Sequence, residues 1–517
     1  MVRDSVQAAF FATGSAADAF NVATRIPTLL RDLFAEGAMS AAFVPTFTKT
    51  LAIEGKDAAW KLGSQVINTL LLITGVLVVL GIVFAEPLTV AFAGDYVKIP
   101  DKLPLTIELV RVNMPFLLLI AVAAACMGML NALKRFVAPA VAPALYNVVF
   151  IVCTIGFYPL FRAIGINPVM SLSAGMLLGG VAQIVAQWPG LRREGYRHSW
   201  SIDFRNPHLR EMLLLMGPAT LGAAAAQINL VVNTRFATSA EPGAVSALNY
   251  AFRLMYMPVG IIGVAVATAA IPDIVRHAAT KSFNEMRGTF SWGVRLMLML
   301  SVPATVGLMV LAAPIVQLIF ERKNFGPHDT TLVANALFYY APGIVGYSIV
   351  KIASPSFYSL RDARTPVIIS VITIAVNLIL NWWLVGRMGF QGLALGTSIA
   401  ATINAGLLLM LLARRIDGMD GSRILTALTK IALASIAMGA AAYWAERGLN
   451  AVLPVTIVGT VELARAVRVL GAVGAALAVL AAASWMLKIE EFRQAMARVT
   501  RRLPGTAPKV PPASTAD

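Results

Sequence analysis

Residues 25–38 read RIPTLLRDLFAEGA. Arg25, Arg31, Asp32 and Glu36 fall there on one helical stretch, in a chain of 517 residues that is 58% hydrophobic and only 13% charged. A guanidinium keeps its charge when desolvated and binds phosphate or carboxylate through two parallel hydrogen bonds, so arginines in such a setting suit an anionic ligand. A second copy of the pattern lies further on: Ala19-Phe20-Asn21-Val22-Ala23-Thr24-Arg25 and Ala247-Leu248-Asn249-Tyr250-Ala251-Phe252-Arg253 share A-x-N-x-A-x-R. Pro27 follows the first arginine and Pro258 the second, and each removes a bond from the helical ladder. Two related arginines beside helix breaks make a reasonable anion clamp. The alternative is an interhelical ion pair with Asp18, Glu36 or Asp4. Neighbours on a helix point about 100° apart, so Arg31 and Asp32 are expected not to neutralise each other.

Catalytic signatures are missing from the rest of the chain. His198, His208, His277 and His328 fall in connections between apolar segments, and neither an H-E-x-x-H pair nor a G-x-x-x-x-G-K-[ST] phosphate loop occurs. Cys126 and Cys153 both sit in apolar runs and read as packing residues. The chain is therefore expected not to be an enzyme and to need no cofactor and no metal. The net charge of +16 comes from residues scattered between apolar segments rather than from a basic domain, which argues against nucleic acid.

Those arginines must be positioned by membrane-spanning helices. Mean hydropathy is +0.75, and apolar runs at 24–50, 62–93, 105–133, 138–161, 170–191, 212–238, 244–275, 288–320, 331–359, 365–386, 390–413, 424–445 and 464–487 are each long enough to cross a ~30 Å hydrocarbon layer. Val2 to Thr13 is about 18 Å as a helix and cannot cross alone, so the first helix reads as a half-helix or a truncated one. Lysines and arginines concentrate in alternate connections, such as 192–210, 276–287 and 414–430, and in the tail after Lys488, which places both termini in the cytoplasm. Lys98 and Lys102 are counted with the sparser outer connections. Arg3, Arg25, Arg31, Arg111, Arg235, Arg253, Arg295 and Lys351 remain within the spans. At roughly 2.5–3.5 kcal/mol each at mid-membrane, leaving all of them in lipid would exceed the ~5–15 kcal/mol stability of a domain. Arg111, Arg235 and Arg295 are expected to snorkel to the interface, and the others to line water or pair with acids.

The A-x-N-x-A-x-R copies belong to a longer duplication. At one constant spacing Pro45 matches Pro272, Pro87 matches Pro314, Pro115 matches Pro342 and Pro139 matches Pro366, with Gly165 on Gly392 and Gly179 on Gly406. The copies are an even number of helices apart, so they insert in the same orientation and are related by an axis along the membrane normal. The expected fold is an all-α polytopic membrane protein of about fourteen helices: an N-terminal lobe at 1–200, a C-terminal lobe at 201–417, two extra helices at 418–488 and a basic cytoplasmic tail at 489–517. The extra helices are rich in small residues, including Gly439, Gly471 and Gly474, which suits close helix packing or an apolar groove.

The stretch RDSVQAAFFATGSAADAFNVATRIPTLLRDLFAEGAMSAAFVPTF, residues 3–47, resembles the N-terminal signature of the MurJ (MviN) lipid II flippases of the multidrug/oligosaccharidyl-lipid/polysaccharide exporter superfamily. SALNYAFRLMYMPVGIIGVAVATAAIP at 246–272 and KIASPSFYSLRDARTPV at 351–367 agree with it. The resemblance implies a bacterial cytoplasmic-membrane protein that moves the undecaprenyl-diphosphate-linked disaccharide-peptide, lipid II, from the inner to the outer leaflet for peptidoglycan synthesis. It also implies a cationic cavity between two lobes and a groove for the lipid tail in the last two helices, with membrane lipids as the other partners and a monomeric state. The family's cavity arginines fall on Arg3, Arg31 and Arg253, and its functional aspartate on Asp18; Arg25 and Glu36 are added as substrate-binding candidates from their positions in the sequence.

Three departures stand out. The family has a longer N-terminus, so a misplaced start or a truncation is expected here. Its aspartate before the arginine of the eighth helix is Phe252, and the positions of its sodium site read as Asn233, Asn377, Asn381, Leu393 and Thr397. Sodium coupling is therefore expected to be absent. A multidrug exporter of the same superfamily is the alternative function; it would require carboxylates where this chain has arginines. A membrane-bound transferase or phosphatase would need a convergent acid, base or metal set that the sequence does not contain.

Overall fold

Prolines stand near several helix breaks and inside other, continuous helices. The structure is a computed structural model that describes residues 1–32, 37–452 and 461–494, though not the side chains at 37–41, 213, 215–226 and 228. Every regular element among the described residues is helical. In chain order they are α1 (Val2–Phe11), α2 (Ser15–Arg31), α3 (Gly37–Ile53), α4 (Lys56–Val83), α5 (Ala85–Ala93), a 3-10 turn at 94–98, α6 (Lys102–Asn113), α7 (Phe116–Ala132), α8 (Val137–Ala163) and α9 (Met170–Arg193). Then follow α10 (Pro207–Thr238), α11 (Ala244–Ala279), α12 (Phe283–Val310), α13 (Ala312–Phe320), α14 (Pro327–Tyr340), α15 (Gly343–Ser359), α16 (Arg364–Met388), α17 (Phe390–Arg415), α18 (Gly421–Val452) and α19 (Val461–Met486). Ten helical stretches among the described residues are long and apolar enough to cross a membrane, or eleven if α14 and α15 form one span.

The duplication survives into these breaks. The expected span 62–93 is α4 and α5, parted at Phe84, and its copy 288–320 is α12 and α13, parted at Leu311. Pro115 and Pro342 stand at a second pair of equivalent breaks, between α6 and α7 and between α14 and α15, the latter bent by 47°. Such a bend frees carbonyls that lipid cannot satisfy. Ser398 meets this need: its hydroxyl lies 2.7 Å from the Tyr339 carbonyl oxygen and 2.9 Å from that of Tyr340. The Thr305 hydroxyl donates to the next carbonyl, Ala341, at 3.2 Å.

The first copy differs at its start. Residues 24–50, expected as one span, fall in two helices, α2 and α3, with 33–36 between them outside the described residues. The helix α2 begins nine residues before the expected span, at Ser15, and runs through Pro27 to Arg31. In the second copy α11 is continuous over 36 residues despite Pro258 and Pro272.

The chain forms two compact units. The first comprises Met1–Tyr250, Ile319–Val333 and Ile374–Leu393. Lipid tails are as apolar as leucine, so close packing rather than water exclusion holds such helices together. The core of this unit is a run of rings, Phe43, Phe47, Trp60 and Tyr196, whose successive centroids are 5.3–5.9 Å apart. Beside it α9 lies against α8, with Gly175 and Gly179 facing the backbone of Phe150 and Tyr146 closely enough that a Cβ would fall within 3.1 Å of a carbonyl oxygen. The second unit comprises Ala251–Leu318, Ala334–Thr373 and Ala394–Asp517, around Phe290, Met297, Ile352, Phe357 and Leu412. Within it α18 packs against both α12 and α19. A Cβ on Gly439 would meet Val306 at 2.7 Å and one on Gly471 would meet Leu449 at 2.7 Å, whereas Gly474 faces open space.

Candidate functional site

In the first unit, α1, α2 and the first turns of α11 carry most of the residues singled out in the sequence. Asp18, in the first turn of α2, is almost wholly buried. Its Oδ1 accepts from the Ser246 amide at 2.9 Å and the Ser246 hydroxyl at 2.7 Å, and its Oδ2 from the Gly243 amide at 2.7 Å. A carboxylate so placed satisfies donors at the start of α11 that have no partner within the helix, and it sits where the helix dipole favours negative charge. The site depends on Gly243, whose φ of +92° is left-handed and whose Cβ would lie 2.5 Å from the Thr13 carbonyl oxygen.

The charge of Asp18 is matched by Lys102, whose Nζ lies 2.9 Å from Oδ2 and 4.0 Å from the centre of the Tyr96 ring. Both side chains are under 3% exposed. This corrects the placement of Lys102 in a solvated outer connection: it is the first residue of α6 and is buried. A lysine in the run Ile-Pro-Asp-Lys has the appearance of a loop residue, and no signal in the sequence pairs it with a carboxylate 84 positions earlier.

The repeated heptapeptide supplies the adjoining contacts. Asn21 donates to the Ser246 hydroxyl at 3.0 Å and accepts from Gln7 at 3.3 Å. Arg25 donates to the Asn249 side chain at 2.5 Å, so the arginine of one copy meets the asparagine of the other. Arg3, on α1, reaches Asp4 at 3.4 Å, with its guanidinium 5.5 Å from the centre of the Phe150 ring. The end of α1 is tied by the Asn324 side chain, which donates to the Phe10 carbonyl at 2.7 Å, and by Asp329, which accepts from the Thr13 amide at 3.0 Å.

Arg31 departs from expectation. Its Nε and an Nη lie 3.0 and 2.8 Å from the same Asp32 oxygen, so the neighbours do pair. The 100° divergence describes where the Cβ atoms point, and the long arginine side chain reaches round that angle. The pair is about a quarter exposed, which leaves it accessible to a ligand. Glu36 lies outside the described residues.

Asn233 on α10 and Asn377 and Asn381 on α16 come together. The Asn381 amide donates to Asn233 at 2.6 Å and to Asn377 at 3.1 Å, and that of Asn233 lies 3.4 Å from the Asn377 oxygen. The groups joined by these hydrogen bonds are neutral amides. Leu393 is buried in the same unit, and Thr397 belongs to the second.

Arg253 also belongs to the second unit, exposed on α11. It stands beside a group of rings missed in the sequence: Phe252 stacks on Tyr256 at 5.6 Å, Tyr347 is edge-on to both, and the Lys351 ammonium is 5.8 Å from the centre of Tyr256. Arg295, expected to snorkel, is instead 14% exposed and paired with Glu490 at 3.4 Å and Glu491 at 3.2 Å.

Paired broken helices, with many helices long and apolar enough to cross a membrane, define a polytopic helical membrane fold. The fold agrees: a multidrug resistance MATE family transporter of the MOP superfamily, in an inward-facing conformation, matches 80% of this chain and 93% of its own with a TM-score of 0.65 at 17% identity. The solved structure of lipid II flippase MurJ in an inward closed conformation matches more fully, with a TM-score of 0.75 at 25% identity over 94% of this chain and 96% of that one. The family model described as lipid II flippase MurJ matches residues 7–459. The probable lipid II flippase MurJ of Rhizobium meliloti (strain 1021) is 34% identical over 92% of this chain and 89% of its own length, and the lipid II flippase MurJ of Burkholderia cenocepacia is 34% identical over 80% of each. The chain belongs to the lipid II flippase MurJ family.

Proposed function

We propose that this protein carries lipid II from the inner to the outer leaflet of the bacterial cytoplasmic membrane by alternating access, without chemical change to its cargo. The observation that carries the reading is the family match over residues 7–459. Arg3, Arg25, Arg31 and Arg253 are the proposed ligands of the diphosphate and the acidic peptide, because fork-shaped cations hold such groups in two-point contacts. Glu36 completes the set from sequence. Asp18 acts differently: with its oxygens taken by Lys102, Gly243 and Ser246, it positions the start of α11 rather than meeting substrate. Open space at Gly474 supports α18 and α19 as the lipid-tail groove. The lobes at 1–200 and 201–417 are proposed as the moving bodies of a monomer with both termini in the cytoplasm.

The deciding experiment depletes this protein in its host and labels lipid II accessible from outside the cell. Loss of outer-leaflet lipid II, restored by the wild-type chain, supports the proposal; unchanged accessibility refutes it. A multidrug exporter remains the alternative, and the MATE likeness at 17% identity concerns the fold alone. Export of organic cations by proteoliposomes, without lipid II movement, would establish it instead.

A further inference from the structure

One cavity is lined by residues of the second unit, none of them among the proposed head-group ligands. It has a volume of about 340 Å³ and is lined by α12, the first turns of α18 and the segment just after α19. Four cations line it, Arg295, Arg423, Lys430 and Lys488, against two acids, Glu490 and Glu491. Arg295 is occupied by both acids. That contact fixes the chain just past α19 and leaves Arg423, Lys430 and Lys488 with no carboxylate in ion-pair range among the described residues. Like charges gathered around one cavity repel unless an anion enters, and the start of the 32-residue helix α18, with Ser422 and Thr426 also lining the cavity, adds a dipole of the favourable sign.

The surroundings indicate the source of that anion. Leu425 and Leu433 on α18 and Trp485 and Met486 on α19 are 59–79% exposed close to these cations in sequence, an apolar surface of the kind that acyl chains cover. Tryptophan beside basic residues at a helix end marks the membrane interface, and basic pockets between helices at that level hold lipid head groups. The volume is at the lower end of small-molecule sites, ~300–1,000 Å³, which suits a single phosphodiester head group and is too small for a disaccharide-peptide.

We propose that this cavity binds the head group of an anionic glycerophospholipid, with Arg423, Lys430 and Lys488 on the phosphate and the acyl chains along α18 and α19. None of the residues proposed to hold the head group of the transported substrate lines this cavity. It would make the seating of these two helices depend on the anionic lipid content of the membrane.

The test uses the full chain in phosphatidylcholine nanodiscs, titrated with spin-labelled phosphatidylglycerol or spin-labelled phosphatidylcholine, with inorganic phosphate as competitor. Phosphatidylglycerol should be immobilised at least about tenfold more tightly than phosphatidylcholine. At ~1 kcal/mol per basic residue near a membrane surface, each of Arg423→Gln, Lys430→Gln and Lys488→Gln should lower that preference about fivefold. The charge-keeping set Arg423→Lys, Lys430→Arg and Lys488→Arg should retain it. Arg423 is exposed, so its single variant is readable even if a triple variant fails to fold. An unchanged preference in Arg423→Gln, or no preference in the wild type, overturns the proposal. So does displacement of the label by inorganic phosphate as effectively as by unlabelled phosphatidylglycerol, which would make the site one for free phosphate.

Discussion

Replacing Lys102 by methionine keeps the length of the side chain and removes its charge, leaving Asp18 buried with three donors instead of four. Removing one partner of a buried ion pair costs about 3–5 kcal/mol, because the remaining charge is uncompensated where water cannot reach it. The ammonium's contact with Tyr96 is lost as well. Asp18→Asn should cost a similar amount: it strands the lysine and turns an amide nitrogen toward the Gly243 N–H. In the double variant neither charge remains, and the main deficit is the Gly243 N–H without an acceptor, about 1–3 kcal/mol. The two single costs should therefore exceed the double by several kcal/mol. Denaturant titration of all four proteins in mixed micelles, followed by tryptophan fluorescence, measures the cycle. If the single effects add to within ~0.5 kcal/mol, as they do for independent sites, Asp18 and Lys102 are not coupled and the account of this pair is wrong.

Arg31→Ala should abolish lipid II flipping while expression and thermal stability hold, and Arg31→Lys should be impaired because a point charge does not replace the fork; equal activity in a leaflet-accessibility assay would remove Arg31 from the clamp. Gly474→Phe should cut transport of full-length substrate without unfolding the protein, since its Cβ enters open space, and a short-chain lipid II analogue moved at the wild-type rate would tie the defect to the tail. Ser398→Ala leaves the Tyr339 and Tyr340 carbonyls without their hydroxyl partner, for an expected loss of about 1–3 kcal/mol by the same titration; no loss would mean that these carbonyls find other donors. Transport should be insensitive to replacing sodium by choline at fixed potential, because Asn233, Asn377 and Asn381 offer neutral oxygens, and those of Asn233 and Asn377 already accept from neighbouring amides. A large fall in rate would contradict this.

What could be read from the sequence follows from how local each cause is. The matched prolines revealed the duplication, and the structure has matched breaks at Phe84 and Leu311 and around Pro115 and Pro342 where the apolar runs read as unbroken spans; the breaks expected at Pro27 and Pro258 are not there, since both prolines lie inside continuous helices. The three asparagines were found because the resemblance fixed their positions. Lys102, Arg295 and the ring cluster around Phe252 depend on contacts between distant segments and were not visible. Burial of a lysine is decided by what stands opposite it, here an aspartate on another helix, and hydropathy scores each residue without that neighbour. Arg31 shows a different failure. Helical geometry gives the direction of Cα–Cβ correctly, but a guanidinium at the end of four rotatable bonds is not confined to it and reaches the carboxylate beside it in sequence. Such a pair is only about a quarter exposed. An incoming diphosphate therefore has to compete with Asp32 for Arg31, and removing that competitor by Asp32→Asn should tighten substrate binding rather than weaken it.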